Sequence, residues 1–324
     1  MAKKLDLDAT LARLQVLRGA PDTDATLVEL REILKSKSSH AVAKAAELSG
    51  ELSLDALEPD LVAAFGRFME KPEKTDKGCG AKSAIAEALH QLDHDEADIY
   101  LCGVRHVQME PVWGGKADTA LALRGACARG LVRMQYRELM IELSDLLADP
   151  EIPVRIDAAR AIAYAGREDG APLLRLRVLA GDEDEEVIAE CLGAMLAVAP
   201  RSSLDFVSKL LESPDRSRQE LAALALGGAR LLEALPVLGA WHAQLADPEL
   251  RSTALVAIAM LRCDEAFDFL IDLISEAPGP TARDAIEALG AYRGDEALRE
   301  RVSHAAQGRQ DADLRDTLRE AFQD

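Results

Sequence analysis

From residue 119 to its end the chain restates one phrase of about 33 residues, and that period limits what it can fold into. The clearest copy runs from Asp149 to Gly166, DPEIPVRIDAARAIAYAG. With Val154 as phase mark, equivalent positions fall at Leu121, Val187, Ser217, Leu250, Thr281 and Leu314. The steps are 33, 33, 30, 33, 31 and 33 residues. One copy has room for two helices and cannot bury its own apolar face, so copies must stack on one another. The pattern predicts an all-α fold, an α-solenoid of stacked antiparallel helix pairs.

Each first helix is rich in Ala, Leu and Ile at helical spacing, as in Leu255, Ile258, Ala259 and Arg262. Alanine has the best helix propensity and lets neighbouring helices approach closely. Each second helix is more conventionally amphipathic, as in 139–147 and 267–274. Asp149-Pro150, Asp247-Pro248 and Pro278-Gly279-Pro280 mark turns and helix starts. Hydrophobic residues make up 48% of the chain but aromatics only 4%, which suits an aliphatic helical stack. No sustained alternation of β-branched residues predicts a strand.

The phrase Asp149–Ala159, with its Asp-Pro, Val154-Arg155 and Ala158-Ala159, and its echo from Asp247 to Ala254 resemble HEAT repeats. The resemblance is to the short type found in phycobilisome lyases, and it covers 119–324 well and reaches less clearly back to about residue 24. It implies a HEAT-like superhelix whose second helices line a concave face, suited to a helix or loop of another protein. The same fold occurs in alkylpurine DNA glycosylases, which use a basic, aromatic-lined cleft; a net charge of −19 fits that poorly. It also occurs in deoxyhypusine hydroxylases, which bind iron through His-Glu pairs. None of the six histidines here (His40, His90, His94, His106, His242, His304) precedes a Glu.

Residues 1–118 read as irregular N-terminal helical repeats with a loop insertion at about 103–118. Residues 119–324 read as regular repeats closed by a polar C-terminal capping helix, Ala312 to Phe322, the whole forming one continuous solenoid. Leu5, Leu7, Leu11, Leu14 and Leu17 predict an apolar first helix that caps the core or pairs with another chain. The stretch 71–118 breaks the repeat, and insertions of this kind often carry the binding residues of a repeat array. Gly78, Gly80, Lys82 and Ser83 do not make a phosphate loop, because that motif needs four residues between its glycines and Gly directly before Lys. Exposed N–H groups at a helix start, with Lys77 and Lys82 beside them, are a candidate hold for an anion or carboxylate. His90 and His94 share a helical face but lack a third zinc ligand, so no metal site is expected.

Arg105, His106, Gln108 and Trp113 form the leading candidate surface, because Trp and Arg are enriched at interface hot spots. Trp113 has three readings: a plug over the adjacent helix pair, a partner contact, or the wall of a ligand pocket. Tyr136, Trp241 and His242 lie at or in second helices and are further candidates for contact. No residues are expected to be catalytic and no cofactor is expected.

Acid dominates on both sides of residue 118, with 15 Lys and Arg against 21 Asp and Glu before 119 and 23 against 36 after it. This opposes non-specific nucleic-acid binding, which depends on neutralising phosphates, and attachment to an anionic membrane. It favours a protein partner with a basic surface. The densest run, Asp182 to Glu186, reads as a solvated turn with acid near a helix N-terminus. Five scattered cysteines, with neither a Cys-x-x-Cys nor an apolar leader, suggest reduced thiols and a cytoplasmic location. The expected function is a protein–protein interaction scaffold or adaptor. The alternative is a lyase-subunit-like enzyme accessory or ligand-binding protein with its site around 77–113. Self-association through an exposed repeat end stays open.

Overall fold

The computed structural model describes residues 7–19, 24–309 and 311–322. The chain divides into two compact units, 1–165 and 166–324. Leu5 of the expected first helix lies outside the described residues.

Unit 1 holds α1 (Leu7–Arg18), α2 (Asp24–Leu34), α3 (Ser39–Glu51), α4 (Glu58–Met69), the single turn α5 (Pro72–Thr75), α6 (Gly80–Gln91) and α7 (Ala97–Val104). A hairpin follows, β1 (Met109–Val112) and β2 (Gly115–Asp118), and then α8 (Leu121–Arg133), α9 (Leu139–Leu147) and α10 (Ile152–Ala165). Helices α1, α3, α6, α8 and α10 stack in succession as one layer. Helices α4, α7 and α9 pack against them as the second layer. At the N-terminal end, Leu14 and Leu17 of α1 are buried while Leu7 stays exposed, so this helix covers the end of the core with one stripe only.

Unit 2 repeats the plan with α11 (Ala171–Ala180), α12 (Glu185–Val198), α13 (Pro200–Leu210), α14 (Arg216–Gly228) and α15 (Ala234–Gln244). It continues through α16 (Pro248–Met260), α17 (Asp264–Glu276), α18 (Gly279–Gly290), α19 (Glu296–Gln307) and α20 (Ala312–Phe322). The even-numbered helices α12 to α20 form the first layer, each touching the next, and the odd-numbered ones pack beside them. Within each unit the fold is therefore the expected solenoid. Small residues set the spacing of the first layer. A Cβ at Gly227 of α14 would stand 2.3 Å from the Ala257 carbonyl oxygen of α16, so only glycine permits that approach. Ala254, Leu255, Ala257, Ile258 and Ala259 of α16 are all buried. The last described helix buries Leu314 and leaves Asp313, Arg315, Asp316, Arg319 and Glu320 exposed.

One aspartate per repeat caps or immediately precedes most of the first helices. Asp118, Asp149, Asp215, Asp247 and Asp311 each accept the backbone N–H of the residue two positions on, at 2.8–3.1 Å. Such a cap satisfies one of the orphan donors of a helix start. These caps correct the repeat register at its N-terminal end. Asp118 and Asp149 are 31 residues apart, so Leu123 and Arg124, rather than Leu121, are the partners of Val154 and Arg155. The reason is local: β2 runs straight into α8 and shortens the step. The acidic run at 182–186 is also less solvated than expected, because the side chain of Asp182 is fully buried against Arg177 while Asp184 caps α12.

The expectation of no strand fails at 109–118. Met109 pairs with Asp118, Glu110 with Ala117, Pro111 with Lys116 and Val112 with Gly115. Two four-residue strands with a proline in one are too short to show a β period. Their signal lies instead in the turn Trp113-Gly114, where Gly114 takes φ +92°.

Candidate binding surface

The insertion is a hairpin fixed at its base by a buried polar network, and the network begins with Asp76. Gly78 (φ +75°) and Cys79 (φ +56°) both adopt left-handed backbone. The chain thereby doubles back, and the Asp76 carboxylate meets the start of α6. Its oxygens accept the N–H groups of Ala81 and Lys82, each at 3.0 Å, and the Lys82 ammonium, also at 3.0 Å. Both side chains are sealed from solvent, with Lys82 at 0% exposure. The helix start does hold a carboxylate, as its N–H groups and lysine suggested, but that carboxylate belongs to the chain itself. Lys82 is thereby corrected from an exposed binding residue to half of an internal ion pair. Lys77 remains exposed.

Gln108 joins this turn to the hairpin. Its buried amide donates to the Asp76 carbonyl at 2.8 Å and to Glu110, and its oxygen faces the His106 ring nitrogen at 3.2 Å. Gln108 is corrected in the same way, from a contact residue to an internal fastener. Glu110 also accepts the Gly78 N–H at 2.7 Å and the Thr119 hydroxyl at 3.1 Å. Desolvation pushes the Glu110 carboxyl up, but the bonds from Gln108, Gly78 and Thr119 and the charge of Lys77 outweigh it and hold the pKa below the usual value. Asp118 accepts the N–H groups of Gln108 and Ala120 and the Arg124 guanidinium at 2.7 Å. Its desolvation is likewise outweighed by these donors, and its pKa is lowered. Arg124, itself buried, also binds the His106 carbonyl and reaches Asp149 of the next repeat at 3.2 Å.

The free end of the hairpin has the opposite character. Trp113 is fully exposed, at 103% of its reference surface, and Val112 is exposed beside it, while Val107 and Met109 are exposed at the base end of β1. The reading of Trp113 as a plug is thereby overturned, because it sits at the tip of a hairpin that points away from the helices that pin its base. Lys82 is sealed while Trp113 stands in solvent, so the two line no common pocket. Beside the hairpin, Arg105 lies half in solvent with its Nε 2.9 Å from the nearly buried Glu142 carboxylate. Tyr136, half-buried in the turn before α9, is close enough to act on the Arg105 charge.

Trp241 and His242 lie in unit 2, on α15. Trp241 is only 8% exposed, so it is corrected from a projecting contact to the floor of a groove of about 350 Å³ between α13 and α15. Burial and the charge of Arg251 lower the pKa of His242, against Asp284, which favours the charged ring. Among the described residues no group of three or more His, Cys, Asp or Glu side chains converges as a metal site would require. No described helix is long and apolar enough to cross a membrane. Sequence reasoning missed Asp76, Glu110, Asp118, Thr119 and Arg124. Of these only Asp118 and Arg124 had a readable signal, as counterparts of Asp149 and Arg155.

The described residues of both units thus define a helical-repeat protein, with one projecting hairpin among those of unit 1. Residues 139–227 and 202–290 match the family described as HEAT repeats, so 139–290 are HEAT repeats. No curated protein matches the chain. Among solved structures, the complex of CpcE and CpcF of phycocyanin lyase from Nostoc sp. PCC7120 is 19% identical, with a TM-score of 0.38, over 80% of this chain and 93% of that one. An engineered protein is 18% identical, with a TM-score of 0.35, over 90% of this chain and 87% of that one.

Proposed function

We propose that this protein is an interaction scaffold that engages a partner protein through the Trp113 hairpin. The observation that carries this reading is the contrast between the two ends of one element. The base of the hairpin is pinned by buried charge-assisted bonds, while its tip presents Trp113 and Val112 to water. An exposed tryptophan held on a rigid support gains affinity because little ordering is needed on binding. Arg105 and Tyr136 flank it as further contacts, and Lys77 lies near the base. Pro111 leaves β1 short of one backbone donor, which blunts that edge against indiscriminate strand pairing. The net charge of −19 favours a partner with a basic surface.

The test is affinity capture from native lysate with the intact chain and with Trp113→Ala, read by mass spectrometry. A stoichiometric protein retained by the first and lost from the second is the expected result. A small molecule retained equally by both, with no protein, would move the function to a ligand site near 77–113.

A further inference from the structure

The two outer edges of the hairpin are not equivalent. Just below the strands, Thr119 donates its N–H to the Gln108 carbonyl at 3.0 Å. That bond continues the register in which Met109 faces Asp118. In an antiparallel ladder, residue pairs that bond each other alternate with pairs whose backbone groups point outward. By that alternation Glu110 and Ala117, and Val112 and Gly115, bond each other. The pairs Met109–Asp118 and Pro111–Lys116 turn their backbone groups to the outer edges.

This places Pro111 where its missing N–H costs the ladder nothing, because that group would have pointed outward. The same residue disables the middle of the β1 edge. The β2 edge has no such block. Lys116 is exposed, and among the described residues no bond from outside the ladder takes up its N–H or C=O. An open edge of this kind is a template for another extended chain.

Charge narrows what that chain is. The hairpin strands carry three charged residues, Glu110, Lys116 and Asp118. Glu110 is occupied by Gln108, Gly78 and Thr119, and Asp118 by Arg124 and two backbone N–H groups. Lys116 has no ion partner among the described residues, so the one charge the hairpin leaves unpaired is positive. Lys77, also exposed, is close enough to Glu110 to act on its charge and adds a second cation near the base. The preference of the whole chain for a basic partner therefore does not extend to this edge.

We propose that the outer edge of β2 takes an extended acidic segment of the partner protein as a third strand. The proposal rests on engagement of a partner by the hairpin and specifies how that engagement is made. The backbone of the segment bonds the Lys116 N–H and C=O, and its Asp or Glu side chains lie along the Lys116 ammonium. In strand addition, main-chain bonds supply affinity and the flanking side chains supply selectivity. The end of the added strand nearest the turn lies beside Trp113.

Fluorescence anisotropy with the full chain tests this. The probe is a fluorescein-labelled peptide of roughly eight residues in which Val and Thr alternate with Glu. A control peptide carries Lys in place of Glu. The Glu peptide is expected to bind at least about tenfold more tightly than the control. Lys116→Pro removes an outward N–H together with the charge, and is expected to weaken the Glu peptide at least about tenfold with Tm retained. Lys116→Gln removes the charge alone, and is expected to bring the two peptides to within about threefold of each other. N-methylation of alternate peptide amides is expected to abolish binding in one alternate set and spare it in the other. No binding of the Glu peptide, undiminished binding to Lys116→Pro, or equal binding of the two methylated sets overturns the proposal. A dimer in sedimentation velocity that is lost on Lys116→Pro also overturns it, by giving the edge to a second copy. In capture from lysate, a partner lost from Trp113→Ala but retained by Lys116→Pro would leave the hairpin as the contact and overturn only the added strand.

Discussion

Lys82 shows how a residue is read from its type and placed by its neighbours. An ammonium beside glycines at a helix start suggests an anion site, and the sequence has no means of showing that Asp76 folds back to fill it. Because both charges are dry, removing one partner leaves the other buried and uncompensated. Asp76→Ala is expected to cost about 3–5 kcal/mol in denaturant unfolding, with much of that recovered when Lys82→Met is added. A loss below about 1 kcal/mol, the value of an exposed pair, would contradict the burial. Asp157 has the opposite sign. Burial raises its pKa, with Arg129 and Arg160 only partly compensating. Folding therefore favours the protonated acid, and the penalty for ionising it is present above the folded pKa and disappears below the unfolded one. Asp157→Asn should raise Tm at neutral pH, and the difference from the parent chain should shrink as pH falls toward the ordinary carboxylate range. A difference that grows on acidification would contradict that assignment.

At the scale of elements, the helices were legible and the hairpin was not. The helices at 139–147, 267–274 and 312–322 announce themselves through apolar spacing over several turns, and α9, α17 and α20 fall there. The hairpin offers eight strand residues, one of them proline, and its stability comes from Gln108, Glu110, Asp118 and Arg124, which lie far from Asp76 and Gly78 in sequence. No local pattern encodes those contacts. Trp113 was readable as a notable residue, but only the hairpin shows that it faces water. Gln108→Ala should leave the Asp76 carbonyl and Glu110 short of a donor, at a cost of about 1–3 kcal/mol. It should also speed amide exchange across 109–118 more than elsewhere. Uniform acceleration throughout unit 1 would instead mean that the hairpin and the helices open together.

At the scale of the whole molecule, the repeat period carries most of the information, because stacking demands the same small and aliphatic residues at the same phase in every copy. Function is not periodic, and the feature that suggests it is a departure from the repeat: a hairpin where a short turn would suffice. Acid is also uneven, with −6 in unit 1 and −13 in unit 2. The most direct measurement is calorimetric titration of the captured partner against the parent chain and Trp113→Ala, paired with the Tm of each. The account predicts a loss of at least about 2 kcal/mol in binding, as for a hot-spot tryptophan, with Tm unchanged. Unchanged affinity with a lowered Tm would contradict it and return Trp113 to a structural role.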